Sequence, residues 1–313
     1  MGRYIGKRLL LMIPVLLAVA IFIFTLMYFV PGDPAQILLG ESVPDPETLA
    51  LLRHQMGLDK GYFGQLWDFM KSLAKLDFGT SYILGRNVAT DLHTRFPYTL
   101  KLSIYSIILV VIVGIPLGVI SAINAGKFAD RVVMVVTLFL NSMPNFWLGL
   151  LLIVAFSVKL KWLPSSGVGH WYNYILPVVA VSVGVLASIA RQTRSSMLEV
   201  VRADYVTTAR SKGLPERKVI YGHALPNALI PIITVIGSRF AYTLGGSTVI
   251  ETVFSIPGIG KYMVEAVNSR DYPIVRGSIL VIAVAFSLTM LLVDILYAFV
   301  DPRIKAQYAK KKR

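Results

Sequence analysis

Residues 102–123 read LSIYSIILVVIVGIPLGVISAI and contain no charged side chain. This length and composition suit a helix that crosses a bilayer, which takes about 20 predominantly apolar residues. Five further stretches meet the same requirement: residues 9–30, 132–158, 171–190, 228–250 and 277–300. Their lengths and their internal Gly and Pro residues favour helices over barrel strands, which alternate over about ten residues. The sequence therefore predicts an all-α, polytopic membrane protein with six transmembrane helices.

The composition of the chain supports the same class. It is 55% hydrophobic and only 15% charged, which is too apolar for a soluble domain of 313 residues. If the N-terminus is cytoplasmic, nearly all of the formal net charge of +14 falls on the inner side of the six spans, as the positive-inside rule requires. We therefore expect both termini in the cytoplasm, and the basic balance requires no nucleic-acid partner. The absence of cysteine excludes disulfides.

The first apolar stretch has two interpretations. Arg3, Lys7 and Arg8 precede it, and residues 18–20 have the small-x-small form of a signal-peptide cleavage site. The apolar run continues through Val30, however, which predicts that the segment stays as a membrane anchor.

The outer loop between the first two spans is long. A loop of this length without secondary structure is uncommon in a compact protein, so we expect a small helical cap. Asp45-Pro46-Glu47 is typical of a helix start and Gly57 of a helix end. The predicted divisions are 1–30 for the N-terminus and first span, 31–98 for the cap, 99–300 for a five-helix core, and 301–313 for a basic cytoplasmic tail that contacts anionic lipid.

A polar, basic loop interrupts the apolar second half of the chain. Residues 191–227 read RQTRSSMLEVVRADYVTTARSKGLPERKVIYGHALPN, and a predicted span lies on either side. A charged loop held against a bilayer offers a surface on which another protein can act.

The pattern within this loop predicts two short helices. Gly213 suits the left-handed end of the first, Pro215 suits the first turn of the second, and Pro226 lies where the second meets the next span. An apolar stripe at roughly helical spacing marks the first helix: Leu198, Val201, Tyr205, Thr208 and Ala209.

The same loop resembles a motif of a known family. Thr207-Thr208-Ala209, three residues, Gly213, nine residues, His223, one residue and Leu225-Pro226 follow the spacing of the EAA loop, E-A-A-x3-G-x9-I-x-L-P, of binding-protein-dependent ABC transporter permeases. The chain departs from that pattern at Thr207, Thr208 and His223. The resemblance implies a MetI-like permease fold, with Tyr205 and the EAA-like residues coupling the chain to partner ATPases by packing.

Four further motifs resemble the dipeptide, oligopeptide and nickel branch of these permeases: PGDP at 31–34, LDFGTS at 76–81, ETVFSIPGIGKY at 251–262 and RDYP at 270–273. The resemblance implies a pathway for dipeptides or short oligopeptides, with nickel chelates or glutathione as alternatives. It also implies a second permease subunit, two ATPase subunits, an extracytoplasmic binding protein and the cell membrane of a bacterium or archaeon.

The sequence contains no phosphate-binding loop of the G-x4-G-K-[ST] type, because Gly260-Lys261 is followed by Tyr262 and lacks the upstream glycine. Neither H-E-x-x-H nor G-x-S-x-G is present. We therefore expect no enzymatic activity, cofactor or metal site on this chain, and ATP and Mg bound by the partner ATPases.

Residues 255–262 are predicted to form a turn-rich outer re-entry. Pro257, Gly258 and Gly260 oppose a regular helix, whereas Ile256 and Ile259 favour burial. Non-helical backbone at membrane depth is tolerated where protein buries it or a cavity wets it. A part of the outer gate and a well-packed outer loop are both consistent with this pattern.

Asn141 and Asn145 flank Pro144 in the third predicted span. A proline frees backbone groups and kinks a helix. The two asparagines either line the pore or bond the freed groups, and the sequence does not choose between these roles.

Two charges lie within predicted spans, Arg239 and Asp294. Insertion scales put such a charge at about 2.5–3.5 kcal/mol, so it normally faces a partner or a cavity. One hypothesis pairs the two residues inside the bundle, and the other places Arg239 on the pore wall against a substrate carboxylate. An ion-coupled secondary transporter is the rival function, but Asp294 is its main support and no inverted repeat is evident.

Overall fold

The computed structural model describes residues 2–39 and 45–300, so the predicted tail at 301–313 lies outside the described residues. Within them, β-structure is limited to an isolated bridge between Thr80 and Asn87, and the all-α prediction is confirmed. The helices are α1 (Gly2–Phe29), α2 (Pro34–Leu39), α3 (Pro46–Gln55), α4 (Tyr62–Ala74), α5 (Val88–Ile123), α6 (Phe128–Asn141), α7 (Asn145–Leu152), α8 (Ile175–Val201), α9 (Asp204–Ser211), α10 (Glu216–Lys218), α11 (Leu225–Gly246), α12 (Thr248–Val253), α13 (Ile259–Asn268) and α14 (Tyr272–Val300).

Several of these helices can cross a membrane. Phe22, Leu138 and Leu292 are examples of large apolar side chains exposed on them, as expected where lipid replaces water. Within residues 2–39 and 45–300, five helical stretches are long and apolar enough: Ile5–Phe29, Val88–Ile123, Trp171–Val201, Glu216–Gly246 and Tyr272–Tyr297. A sixth span exists if the bent pair Phe128–Asn141 and Asn145–Lys159 crosses as one.

That bent pair corrects the third predicted span, which was expected to be one helix with a kink. The axes of its two parts differ by 98°, so the chain breaks instead of bending slightly. Pro144 has extended backbone (φ −60°, ψ 132°) directly before α7. Proline lacks the N–H of a helical hydrogen bond and disfavours helical backbone in the preceding residue. Both effects act at the three residues between α6 and α7.

The chain divides into two compact units. Unit 1 comprises Met1–Thr99 and Pro257–Ser287, and unit 2 comprises Leu100–Ile256 and the chain from Leu288 onward. The predicted division into a cap at 31–98 and a core at 99–300 stays a prediction, and unit 1 additionally takes in a segment of the second half of the chain.

Unit 1 contains α3 and α4, and α3 begins and ends where the sequence predicts. Gly57, with φ +68°, follows α3 and ends it in the left-handed region. The apolar core of the unit joins α1, the start of α5, α13 and the start of α14. Its most buried members include Val88, Ile259 and Tyr262.

Unit 2 is built around α8, which packs against α6, α7 and α11. Small residues allow close approach of helices. Gly118 of α5 faces α8 so closely that a Cβ atom there would lie 2.6 Å from the carbonyl oxygen of Ala190. Gly237 of α11 is also tightly packed, because a Cβ atom there would overlap the side chain of Val293 in α14.

Candidate functional site

The fourth span extends further than predicted. α8 continues to Val201, so residues 191–201 belong to the helix and not to a loop. Thr193, Ser196 and Met197 are buried there, because one face of this polar stretch packs on neighbouring helices. We name residues 202–227, which follow α8, the coupling segment.

The buried face of α9 matches the predicted stripe at Ala209 but not at Tyr205 and Thr208. The helix breaks at Ala203, whose backbone is extended (φ −72°, ψ 146°), so the register counted from Leu198 does not continue into α9. Val206 and Ala209 are buried. The exposed side of the helix carries Tyr205, Thr207, Thr208 and Ser211.

Gly213 forms the turn after α9, as predicted. Its φ is +76°, and its N–H donates to the carbonyl oxygen of Arg210 at 2.9 Å. Glycine takes this left-handed conformation without the steric cost that a side chain brings. Across the turn, Nε and Nη2 of Arg210 donate to Glu216 at 3.1 and 2.7 Å, which raises the pKa of Arg210. The ion pair ties α9 to α10.

The second short helix is the first part of a longer one. α10 begins after Pro215 and continues through the π-helical residues Val219–Ala224 into α11. Pro226 lies in the first turn of α11, directly after the π-helical turn. Helical backbone is therefore continuous from α10 into the fifth span.

An apolar cluster packs the coupling segment against neighbouring helices of unit 2. It joins α5, α8, α9, the π-helical turn and α11. Leu225 packs against this cluster, His223 is half-buried, and Pro226 is exposed. The fully buried members are Met197, Val206, Val219, Ala224 and Ala228.

The sequence does not indicate a half-buried ion pair that lies beside this cluster. Asp130, at the start of α6, accepts hydrogen bonds from Nε and Nη2 of Arg194 at 2.7 and 2.8 Å. Ser121 Oγ and the N–H of Gly126 also donate to it, at 2.5 and 2.9 Å. The pair fastens the α5–α6 turn to the part of α8 that leads into the coupling segment. The partners are 64 residues apart, so no local spacing indicates the contact.

Four of the predicted pore residues lie on four helices of unit 2. Arg239 of α11 donates from Nη2 to Ser188 Oγ of α8 at 3.1 Å, and Asp294 lies on α14. Asn141 ends α6 and Asn145 begins α7, and both are exposed at the 98° bend. The predicted pairing of Arg239 with Asp294, and the pore roles, stay predictions.

The predicted re-entry at 255–262 is partly helical. Pro257 and Gly258 lie outside helices, but α13 begins at Ile259 and includes Gly260, because Gly258 has extended backbone (φ −86°, ψ 179°) and precedes the helix as its N-cap residue. Ile256 and Ile259 are 1% and 0% exposed, as expected. The N–H of Ile259 donates to Thr99 Oγ1 at 2.9 Å.

Three of the four family-like motifs, PGDP, LDFGTS and RDYP, meet in unit 1. Asp271 of RDYP accepts from Ser81 Oγ of LDFGTS at 2.5 Å and from the N–H groups of Tyr82 and Ile83 at 3.2 Å. Tyr272 Oη donates to the carbonyl oxygen of Gly32 in PGDP at 3.4 Å. The motifs therefore build one hydrogen-bonded structure although up to 240 residues separate them.

The comparisons with known proteins agree with this architecture. Residues 114–306 match the family model "Binding-protein-dependent transport system inner membrane component". Residues 1–103 match "Binding-prot-dependent transport system membrane comp, N-term". The chain belongs to this family, and it is a multi-pass permease subunit of an ABC importer. The family match confirms the resemblance seen in the EAA-like loop. It argues against the rival hypothesis of an ion-coupled secondary transporter.

The similar proteins include permeases named for glutathione. The glutathione transport system permease protein GsiC of Escherichia coli (strain K12) is 41% identical over 305 residues, covering 97% of this chain and 99% of the relative. GsiC of Salmonella choleraesuis (strain SC-B67) has the same identity and coverage.

Solved transporters share the fold. The MetNI methionine ABC transporter in an inward-facing conformation matches 67% of this chain and 96% of its own, with a TM-score of 0.59 and 19% identity. An amino acid ABC transporter solved with histidines matches 69% and 94%, with a TM-score of 0.51 and 16% identity. These matches support the predicted MetI-like permease fold.

Proposed function

We propose that this permease carries dipeptides or short oligopeptides into the cell. A second, similar permease chain completes the pathway, an extracytoplasmic binding protein delivers the substrate, and two partner ATPases bind and hydrolyse ATP with its Mg. The main support for the proposal is the coupling segment, which joins the end of one span to the start of the next. Its helix α9 has a packed inner face and a polar outer face. Its role is mechanical, and no catalysis occurs on this chain.

The outer face of α9 is the proposed docking surface for an ATPase. Tyr205 is 45% exposed, Thr207 and Thr208 are exposed beside it, and Gly213 sets the angle of the following turn. Threonines stand at 207 and 208 where the family pattern has Glu and Ala. Thr208 Oγ1 donates to the carbonyl oxygen of Asp204 at 2.9 Å, so packing and the Thr207 hydroxyl hold this contact. Ala209 faces inward and packs in the apolar cluster, so a movement of α9 would also move the helices of that cluster.

The proposed substrate class follows from the branch of the family that the chain resembles. The motifs at 31–34, 76–81, 251–262 and 270–273 resemble peptide and nickel permeases, and the curated relatives are named for glutathione, which is itself peptide-like. Glutathione is therefore the second candidate substrate, and nickel chelates are a third.

Transport in proteoliposomes tests the substrate. The chain is reconstituted with its partner permease, ATPases and binding protein, and uptake of a labelled dipeptide, glutathione or a nickel chelate is measured with and without ATP. We expect ATP-dependent, saturable dipeptide uptake that unlabelled oligopeptides inhibit. Uptake of glutathione alone, or of the nickel chelate alone, would replace the peptide assignment.

The pore assignment includes Arg239, Asn141 and Asn145, with residues 257–260 at the outer gate and Asp294 as the partner or neighbour of Arg239. Arg239 is exposed within its own chain, which leaves its guanidinium accessible to an anionic substrate. Replacing Arg239 by Met and Asp294 by Leu together is expected to abolish uptake while the complex still assembles. Unchanged uptake in this double variant rejects the pore role.

A further inference from the structure

α4 has large apolar side chains that no part of the described chain covers. Phe63 and Trp67 are 81% and 62% exposed. At about 100° per residue, Phe63, Trp67 and Ala74 fall within roughly 40° of one another, so they form one strip along the helix. The neighbouring sector is polar and carries Asp68, Lys71 and Ser72.

The other apolar side of α4 packs against the end of α1. Tyr62 Oη and Thr25 Oγ1 share a hydrogen bond of 2.7 Å. The rings of Phe69 and Phe24 stack with centroids 5.6 Å apart. Thr25 lies in the last turns of the span Ile5–Phe29, so these contacts place α4 beside the point where the first span leaves the hydrocarbon.

The exposed strip continues the lipid-facing surface of α1. Phe29, at the end of that span, is 72% exposed, and its ring stacks on Tyr62, which adjoins Phe63. Aromatic side chains gather at membrane interfaces, where lysines extend their charged ends toward phosphate groups. Lys71 Nζ lies 5.2 Å from the ring centroid of Trp67, on the polar edge of the strip.

We propose that α4 is an interfacial helix, which lies in the headgroup–acyl boundary of the leaflet at the Phe29 end of α1. The strip of Phe63 and Trp67 contacts phospholipid, and Lys71 reaches the phosphate layer. The occupant is lipid and not a partner protein, because the strip is continuous with the apolar surface of a membrane-spanning helix and is bordered by a lysine-bearing polar edge.

The fluorescence of Trp67 reports whether the strip contacts lipid. In a single-tryptophan variant of the full chain, Trp147, Trp162 and Trp171 are replaced by Phe. The variant is placed in nanodiscs whose phospholipids are brominated either near the headgroup end or near the terminal end of the acyl chains. The matched control carries Trp67→Phe and Asp68→Trp, so that its single tryptophan lies on the polar sector of α4 instead of in the strip.

We expect blue-shifted Trp67 emission, quenching that is stronger with bromine near the headgroup end, and protection from aqueous iodide. The control tryptophan should be quenched by iodide and emit as a hydrated indole. Quenching of Trp67 by iodide and not by bromolipid overturns the proposal in favour of a solvated helix. If Trp67 is shielded from both quenchers in the complex with its partner subunits, a protein covers the strip and the proposal also fails.

Discussion

At the scale of single residues, the ion pair between Asp130 and Arg194 joins the α5–α6 turn to the base of the coupling segment. Four donor contacts surround one carboxylate that is 4% exposed. The intact pair adds little net stability, since desolvation of the carboxylate offsets much of the attraction. Removing Arg194 alone has a larger effect, because the Asp130 carboxylate then stays buried without an opposite charge.

Arg194→Leu is therefore expected to destabilise the chain by about 1–3 kcal/mol, since it leaves the buried Asp130 carboxylate without its countercharge while the donors from Ser121 and Gly126 remain. Thermal unfolding in one detergent measures the loss. Arg131→Leu is the matched control, because Arg131 lies in the same turn and is exposed. The double variant Asp130→Leu with Arg194→Leu should recover most of the stability. Equal stability of Arg194→Leu and Arg131→Leu would contradict the role of the pair.

Local chemistry accounts for the residues that the sequence predicted correctly. Gly213 and Gly57 were expected at helix ends, and both have positive φ, because a left-handed turn favours glycine whatever surrounds it. The Asp130–Arg194 contact depends on two helices meeting in space, and no property of either residue alone indicates its partner. The same holds for Asp271, whose donors lie almost 190 residues earlier in the chain.

At the scale of helices, hydrophobic length predicted where the spans lie but not where the helices end. α8 continues into a charged sequence because Thr193 and Met197 are buried against neighbouring helices, and tertiary packing overrides the polarity of the stretch. At 142–144 the opposite occurs, since an apolar stretch breaks at Pro144. The stripe predicted from Leu198 to Ala209 is correct at Leu198, Val201 and Ala209, which join the apolar cluster. It is wrong at Tyr205 and Thr208, which are exposed because one extended residue, Ala203, resets the register.

Close helix packing leads to a prediction at this scale. Gly118→Ala should destabilise the chain by about 1–3 kcal/mol, because the new methyl group meets Thr193 and the carbonyl oxygen of Ala190. The matched variant is Gly184→Ala in α8, where the nearest atom to a new Cβ is Asn145 Oδ1 at 3.7 Å. Thermal unfolding of both variants in the same detergent provides the comparison. If the two variants unfold alike, the α5–α8 contact is looser than described.

At the scale of the whole molecule, the distribution of charge predicts a cytoplasmic coupling segment and an outer cap. The chain lacks cysteine, so one introduced thiol reports the side of the membrane on which it lies. Lys212→Cys, in the coupling segment, and Lys75→Cys, after α4, are both exposed positions. In intact cells a membrane-impermeant maleimide should label only Lys75→Cys, and lysis should expose Lys212→Cys. The reverse pattern would invert the proposed orientation.

The central claim is that the coupling segment connects this permease to an ATPase, and one measurement tests it most directly. The chain is tagged and purified in mild detergent as wild type, as Gly213→Pro and as Gly57→Pro. Both glycines have positive φ and donate a hydrogen bond to a helix carbonyl, at 2.9 Å for Gly213 and 3.0 Å for Gly57. Proline removes that donor and fixes φ near about −65°, so the two variants suffer the same local change.

We predict that an ATPase co-purifies with the wild type and with Gly57→Pro but not with Gly213→Pro, while all three chains remain folded and monodisperse. Such a result places the docking contact at the turn after α9. Retention of the ATPase by Gly213→Pro, or its loss from Gly57→Pro as well, would contradict the assignment of the coupling segment.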